Sequence, residues 1–122
     1  MDHDLQPPFS LTIARSDSQT VVALRGELDI DAEGELAAGL ALVLATEPAA
    51  LIVDLRELEF VDSTGLRALL QLRTDCAAIG CRLSLVPGPD AVQRALEVSG
   101  ISGQFAMADP SGPLIALMAA VI

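Results

Sequence analysis

The sequence predicts an α/β domain in which a mixed sheet, an N-terminal hairpin followed by parallel strands, carries helices packed on it. Three observations lead there. Two alternating segments flank Ser16-Asp17-Ser18-Gln19, a continuous apolar run rich in β-branched residues fills Ala50 to Leu55, and from Asp31 onward helical and strand patterns alternate. A tight turn makes antiparallel neighbours, whereas strand–helix–strand units cross over right-handed and make parallel ones. With 122 residues, 52% apolar and 20% charged, the chain suits one domain with its own core and is too hydrophobic for disorder.

A flexible tail is expected over residues 1–8, ending at Pro7-Pro8, and a single domain over 9–122. Phe9 to Arg15 and Thr20 to Arg25 read as the hairpin strands. Asp31 can cap a helix that places Leu36, Leu40, Val43 and Leu44 on one face and stops at Glu47-Pro48, although Gly34 and Gly39 weaken it. Ala50 to Leu55, apolar throughout except for Asp54, is expected at the sheet centre, covered on both faces. A second helix from Ser63 presents Leu66, Leu69, Leu70 and Ala77 on one side, with Leu72, Cys76 and Ile79 beside them, and ends at Gly80. Cys81 to Val86 is the next strand. Pro87-Gly88-Pro89-Asp90 then turns into a third helix, Ala91 to Val98, closed by Ser99-Gly100. Gln104 to Ala108 is expected as an edge strand, and Leu114 to Ile122 as a final apolar helix docked on the core.

Composition removes several functions. The formal charge is −10, every basic residue is Arg, and there is no Trp or Tyr, so the chain repels phosphate backbones and offers no stacking platform for bases. Nucleic acid is therefore not an expected partner. Residues 27–62 hold ten acids against Arg56 alone, a net of −9, whereas residues 63–105 carry a net of +1. Such a stretch is either a solvated face or a surface for a basic partner. Two cysteines and His3, the one histidine, fall short of a structural zinc site, and no metal is expected. The N-terminus lacks a secretory pattern and no run is long enough to span a bilayer, so a cytoplasmic protein with reduced thiols and no membrane insertion is expected.

Catalytic motifs fail one by one, and no catalytic residue is assigned. Asp29-Ile30-Asp31-Ala32-Glu33-Gly34 begins like a calcium loop, but Leu40 occupies the twelfth position, where a bidentate acid is required. Asp62-Ser63-Thr64-Gly65 is one residue longer than the Asp-Thr-Gly turn of aspartic proteases and lacks a second carboxylate to complete a dyad. No histidine is placed to activate Ser63, there is no Gly-x-Ser-x-Gly elbow, and no glycine-rich phosphate loop follows a strand. What remains is a hydroxyl where a strand gives way to a helix. Ser63 can act as an N-cap, accepting from the first-turn N–H groups, or its hydroxyl can take a phosphoryl group at a helix end whose dipole favours anions.

The stretch LIVDLRELEFVDSTGLRALL, Leu51 to Leu70, resembles the signature of the STAS domain of bacterial anti-sigma factor antagonists. Leu24-Arg25-Gly26-Glu27-Leu28-Asp29 is similar to that family's Gly-Glu-Leu-Asp element, and Gly80 to Ile101 resembles its strand, turn and third helix. The resemblance covers the chain from about Phe9 to the C-terminus and implies a STAS-like fold. It also implies that Ser63 is the phosphoacceptor, with Asp29, Asp62, Thr64, Gly65, Leu66 and Arg67 in the partner-binding surface. The implied partner is an anti-sigma factor that is also a serine kinase. Unmodified protein would bind it and free a sigma factor, phosphorylation would break the complex, and a phosphatase would reset it. Such a protein is a binding module and kinase substrate, not an enzyme, and needs no cofactor. The acidic Ile30 to Gly34 segment and Arg67 depart from the usual family pattern where a partner would dock. The alternative is a STAS subunit that serves as scaffold in a lipid-transporter or stress-signalling assembly, with Ser63 only a cap.

Overall fold

The computed structural model describes residues 8–110 and 112. Five strands form one sheet in the order β1-β2-β3-β4-β5: β1 (Ser10–Arg15), β2 (Thr20–Leu28), β3 (Ala50–Val61), β4 (Arg82–Val86) and β5 (Ala106–Met107). β1 and β2 are antiparallel, Ser10 opposite Arg25, and the remaining neighbours are parallel. Helices α1 (Glu33–Ala45), α2 (Ser63–Ala78) and α3 (Asp90–Val98) link the parallel strands, with short 3-10 turns at Ile30–Ala32 and Ser102–Gln104. The mixed α/β sheet with β3 at its centre is the architecture expected from the alternating patterns.

All three helices contribute to one large core cluster, which joins Leu36, Leu69 and Leu96 to Leu51, Val53, Leu55 and Leu85 of the sheet. Alternation sends Val21, Ala23 and Val86 to a second, smaller cluster. The hairpin turn closes through Ser16, whose N–H donates to the Gln19 carbonyl at 2.9 Å. Between β4 and α3, the Gly88 N–H donates to Gln93 Oε1 at 2.8 Å, tying the turn to the helix that follows.

Several boundaries differ from the sequence-based expectation, each for a physical reason. β2 runs past Arg25 to Leu28 because pairing with β3 continues, through two register shifts, across Gly26 at φ +89°. β3 runs on from Leu55 to Val61. Beyond the apolar run the buried residues Leu55, Leu58 and Val61 fall at every third position, with Glu57, Glu59 and Phe60 exposed between them, because each register shift against β2 inserts one extra residue in β3. Asp31 does not cap α1: it lies inside the 3-10 turn Ile30–Ala32, which is capped by Asp29 accepting from Asp31 N at 3.0 Å, and α1 follows that turn from Ala32 with no side-chain cap of its own. Gly39 lies inside an unbroken α1, where a Cβ would lie 2.6 Å from Leu11 Cδ2, so the glycine lets β1 close on the helix.

On α2 the buried seam is Gly65, Leu69, Leu72 and Cys76, with Leu66 and Leu70 half-buried beside it. Ala77 is exposed, one residue's rotation from the seam, and so is Ile79 at the helix end. β4 begins at Arg82 rather than Cys81, because Cys81 closes the end of α2. α3 begins one residue early, at Asp90. β5 is only Ala106–Met107, since Ser102–Gln104 is spent on a 3-10 turn. Residues 1–7 of the expected 1–8 tail, and the expected helix from Leu114 to Ile122, lie outside the described residues.

Candidate functional site

Parallel neighbours end on the same side of a sheet, so the carboxyl ends of β2 and β3 deliver two aspartates side by side. Leu28 pairs with Val61, and the residues that follow are Asp29 and Asp62. A bond from Asp62 N–H to the Leu28 carbonyl, 3.1 Å, fastens the two exits together. Each carboxylate then serves its own chain turn. Asp29 accepts from Asp31 N, and Asp62 accepts from Thr64 N at 2.9 Å and Gly65 N at 3.1 Å, which makes Asp62 the N-cap of α2.

That arrangement corrects the reading of Ser63 as a cap. Ser63 is the first residue of α2, exposed, and its hydroxyl makes no hydrogen bond among the described residues. The Leu66 N–H donates to the Asp62 carbonyl at 3.0 Å and starts the helical ladder directly beneath it. Gly65 is buried: a Cβ there would meet Leu28 Cγ and Val61 Cγ2 at 2.7 Å and the Leu28 carbonyl oxygen at 2.9 Å. Glycine at this position seats the helix on the strand ends and holds Ser63 outward. Thr64 and Leu66 are half-buried and Arg67 is exposed.

Thr64 and Arg67 also line a groove of about 430 Å³ between α1 and α2, floored by Leu36, Leu40 and Leu72. Nothing in the sequence pattern announced this groove, because its walls come from two helices that β3 separates in the chain. A second feature missed there is the exposure of Ile30 at 66% and Phe60 at 48%, both at the sheet edge that carries Asp29 and Asp62. Phe60 could have been found only by knowing the register shift between Gly26 and Glu27 that turns it outward. Among the described residues no group of three or more His, Cys, Asp or Glu is placed to hold a metal ion, and no helix is long and apolar enough to cross a membrane.

Residues 11–115 match the family model described as "Mlab, STAS domain". The chain belongs to the STAS-domain family. Among curated STAS relatives, it is 25% identical over 97 residues to the anti-sigma-F factor antagonist RsfB of Mycobacterium tuberculosis, covering 80% of this chain and 79% of that one. An anti-sigma factor antagonist from Mycobacterium paratuberculosis superposes with a TM-score of 0.73 at 24% identity over 94% of this chain and 96% of that one. The antagonist SpoIIAA in its unphosphorylated form gives 0.71 at 22% identity, over 94% and 99% of the two chains. Bacillus SpoIIAA in its phosphorylated form gives 0.64 at 21%, over 94% and 100%. In this STAS domain the segment Asp62-Ser63-Thr64-Gly65-Leu66 is the joint between the central strand and α2.

Proposed function

We propose that this STAS protein is an anti-sigma factor antagonist, switched by phosphorylation of Ser63. The unmodified form binds an anti-sigma factor that doubles as a serine kinase and so releases a sigma factor; the phosphorylated form lets the partner go, and a phosphatase restores it. The observation that carries this reading is the exposed, unengaged Ser63 hydroxyl at the first position of α2, with capping already performed by Asp62. A serine relieved of structural duty can be modified without unfolding the helix. The partner-binding surface is Asp29, Asp62, Ser63, Thr64, Leu66 and Arg67, with Gly65 shaping it from below.

Charge supplies the switch. A phosphate brings about −1.5 to −2 at neutral pH. Within the chain it sits at a helix N-terminus, which tolerates anions. A partner carboxylate about 6 Å away would be repelled by about 3 kcal/mol per unit charge at an effective dielectric of about 20, before salt reduces it. The test is incubation with candidate anti-sigma kinases and ATP, followed by intact mass and phosphopeptide mapping. One phosphate on Ser63, abolished by Ser63→Ala, is the expected result, whereas modification chiefly on Thr64 would overturn the assignment. Equal partner affinity for the modified and unmodified protein would make the domain a scaffold subunit instead.

A further inference from the structure

α2 and α3 end in the same way. In each, a glycine of positive φ follows the C-cap, Gly80 at +71° and Gly100 at +80°. The next residue's N–H reaches back to a helix carbonyl five residues earlier, Cys81 to Cys76 at 2.9 Å and Ile101 to Leu96 at 2.9 Å. The glycine N–H groups add the inner bonds, Gly80 to Ala77 at 3.3 Å and Gly100 to Glu97 at 3.0 Å. This is the Schellman motif, which brings the side chains of the two residues joined by the longer bond into contact beneath the turn.

At the end of α3 that pair is Leu96 and Ile101, both buried, an ordinary apolar plug. At the end of α2 the same two positions are Cys76 and Cys81, 1% and 7% exposed, which are also the two cysteines of the sequence. Both are free thiols in the main core cluster, and the Cys81 thiol donates to the Arg82 carbonyl at 3.8 Å. The aliphatic pair on α3 shows that the same motif can be filled without sulfur. The short backbone bond between Cys76 and Cys81 keeps their Cα atoms close, as a disulfide requires.

We propose that Cys76 and Cys81 are a dithiol site that closes to an intrachain disulfide under hydrogen peroxide, stapling the end of α2 to the start of β4. Cys81, the more exposed of the two, attacks one peroxide oxygen; the O–O bond breaks, giving a sulfenic acid, and the departing hydroxide takes the thiol proton as water. Cys76 Sγ then attacks Cys81 Sγ, the S–O bond breaks, and the leaving hydroxide takes the Cys76 proton as a second water. Two thiols lose two electrons between them and one peroxide is reduced to two waters. Burial, with Cys81 alongside, pushes the Cys76 thiol up to about 12, so the closing step is slow at neutral pH and quickens as pH rises.

The full chain, fully reduced and then exposed to hydrogen peroxide at two pH values, should be quenched, denatured and alkylated with iodoacetamide for intact mass. The expected product is a monomer lighter by the mass of two hydrogens, taking up no alkyl group, formed faster at the higher pH and melting above the reduced protein. Dithiothreitol should restore two alkylation sites, and Cys81→Ser should never show the loss of two hydrogens. Oxygen adducts alone, a disulfide-linked dimer, two alkylatable thiols after prolonged peroxide, or a lower melting temperature in the closed form would each overturn the proposal. If Cys81→Ser fails to fold, the wild-type masses decide the question by themselves.

Discussion

At the start of α2 the capping task falls to Asp62 and leaves Ser63 free of it. Because the Asp62 carboxylate takes the N–H groups of Thr64 and Gly65, Asp62→Ala should cost about 1 to 2 kcal/mol in urea denaturation. Ser63→Ala should change stability by less than about 0.5 kcal/mol, since an exposed hydroxyl with no internal partner has little to lose. Binding reverses the emphasis. Ser63→Asp, a weaker charge than phosphate, should lower affinity for the anti-sigma partner by about 1–3 kcal/mol, roughly tenfold to a hundredfold, while Ser63→Ala binds near normally in titration calorimetry. Gly65→Ala should destabilise the fold by about 1–3 kcal/mol, because the added methyl meets a backbone carbonyl of β2 that has no room to yield.

Within α2, the seam of Gly65, Leu69, Leu72 and Cys76 carries the packing, so Leu69→Ala should cost about 2–5 kcal/mol by thermal or chemical denaturation. A loss below about 1 kcal/mol would mean that the seam is not the buried face. The foot of the same helix gives a pH dependence. Folding raises the Cys76 thiol from 9.0 to about 12, so the folded chain keeps a proton that the unfolded chain has lost between those values. The stability this supplies is full below pH 9.0 and is lost as pH rises toward about 12; Cys76→Ala should flatten that alkaline decline in stability–pH curves. Among the described residues, which segments become helix and which become strand was legible from periodicity, and so was the central place of Leu51 to Leu55. The strand ends were not. Gly26, Glu57 and Glu59 look like breakers in a linear reading, yet β2 and β3 each continue because the parallel partner offers backbone bonds across them. The segment from Asp62 to Gly65 was legible as a strand-to-helix joint, but which residue caps it was not, since Asp and Ser are equally good caps and only the geometry decides which one accepts.

For the molecule as a whole, the fold turns a charged stretch of sequence into a charged edge. Of the ten acids in residues 27–62, Asp54 is buried against Arg56 and Glu47 lies just past α1, whereas Glu27 is near the end of β2, Asp29 to Glu35 lead into and open α1, and Glu57, Glu59 and Asp62 lie along and just after the second half of β3. They gather at the carboxyl edge of the sheet, beside Ser63, on a chain of net charge −10. Arg25 and Glu57 pair at 3.2 Å across β2 and β3, but both are half exposed and one such pair offsets little of the repulsion. Self-repulsion of this kind opposes the compact state, and salt relieves it, because the Debye length falls from about 30 Å at 0.01 M to about 8 Å at 0.15 M. Raising sodium chloride across that range should therefore increase the melting temperature, by about 4 °C for each kcal/mol of repulsion removed. Placing a further charge at the edge should steepen the response, so Ser63→Asp should melt below wild type at low salt and close the gap at the higher one. Glu59→Gln should do the opposite, melting higher at low salt and gaining less from added salt. Parallel scans of the three proteins by differential scanning calorimetry would check this; salt curves that run parallel for all three would mean that the edge acids are too well solvated to feel one another, and that the phosphate switch acts on the partner alone.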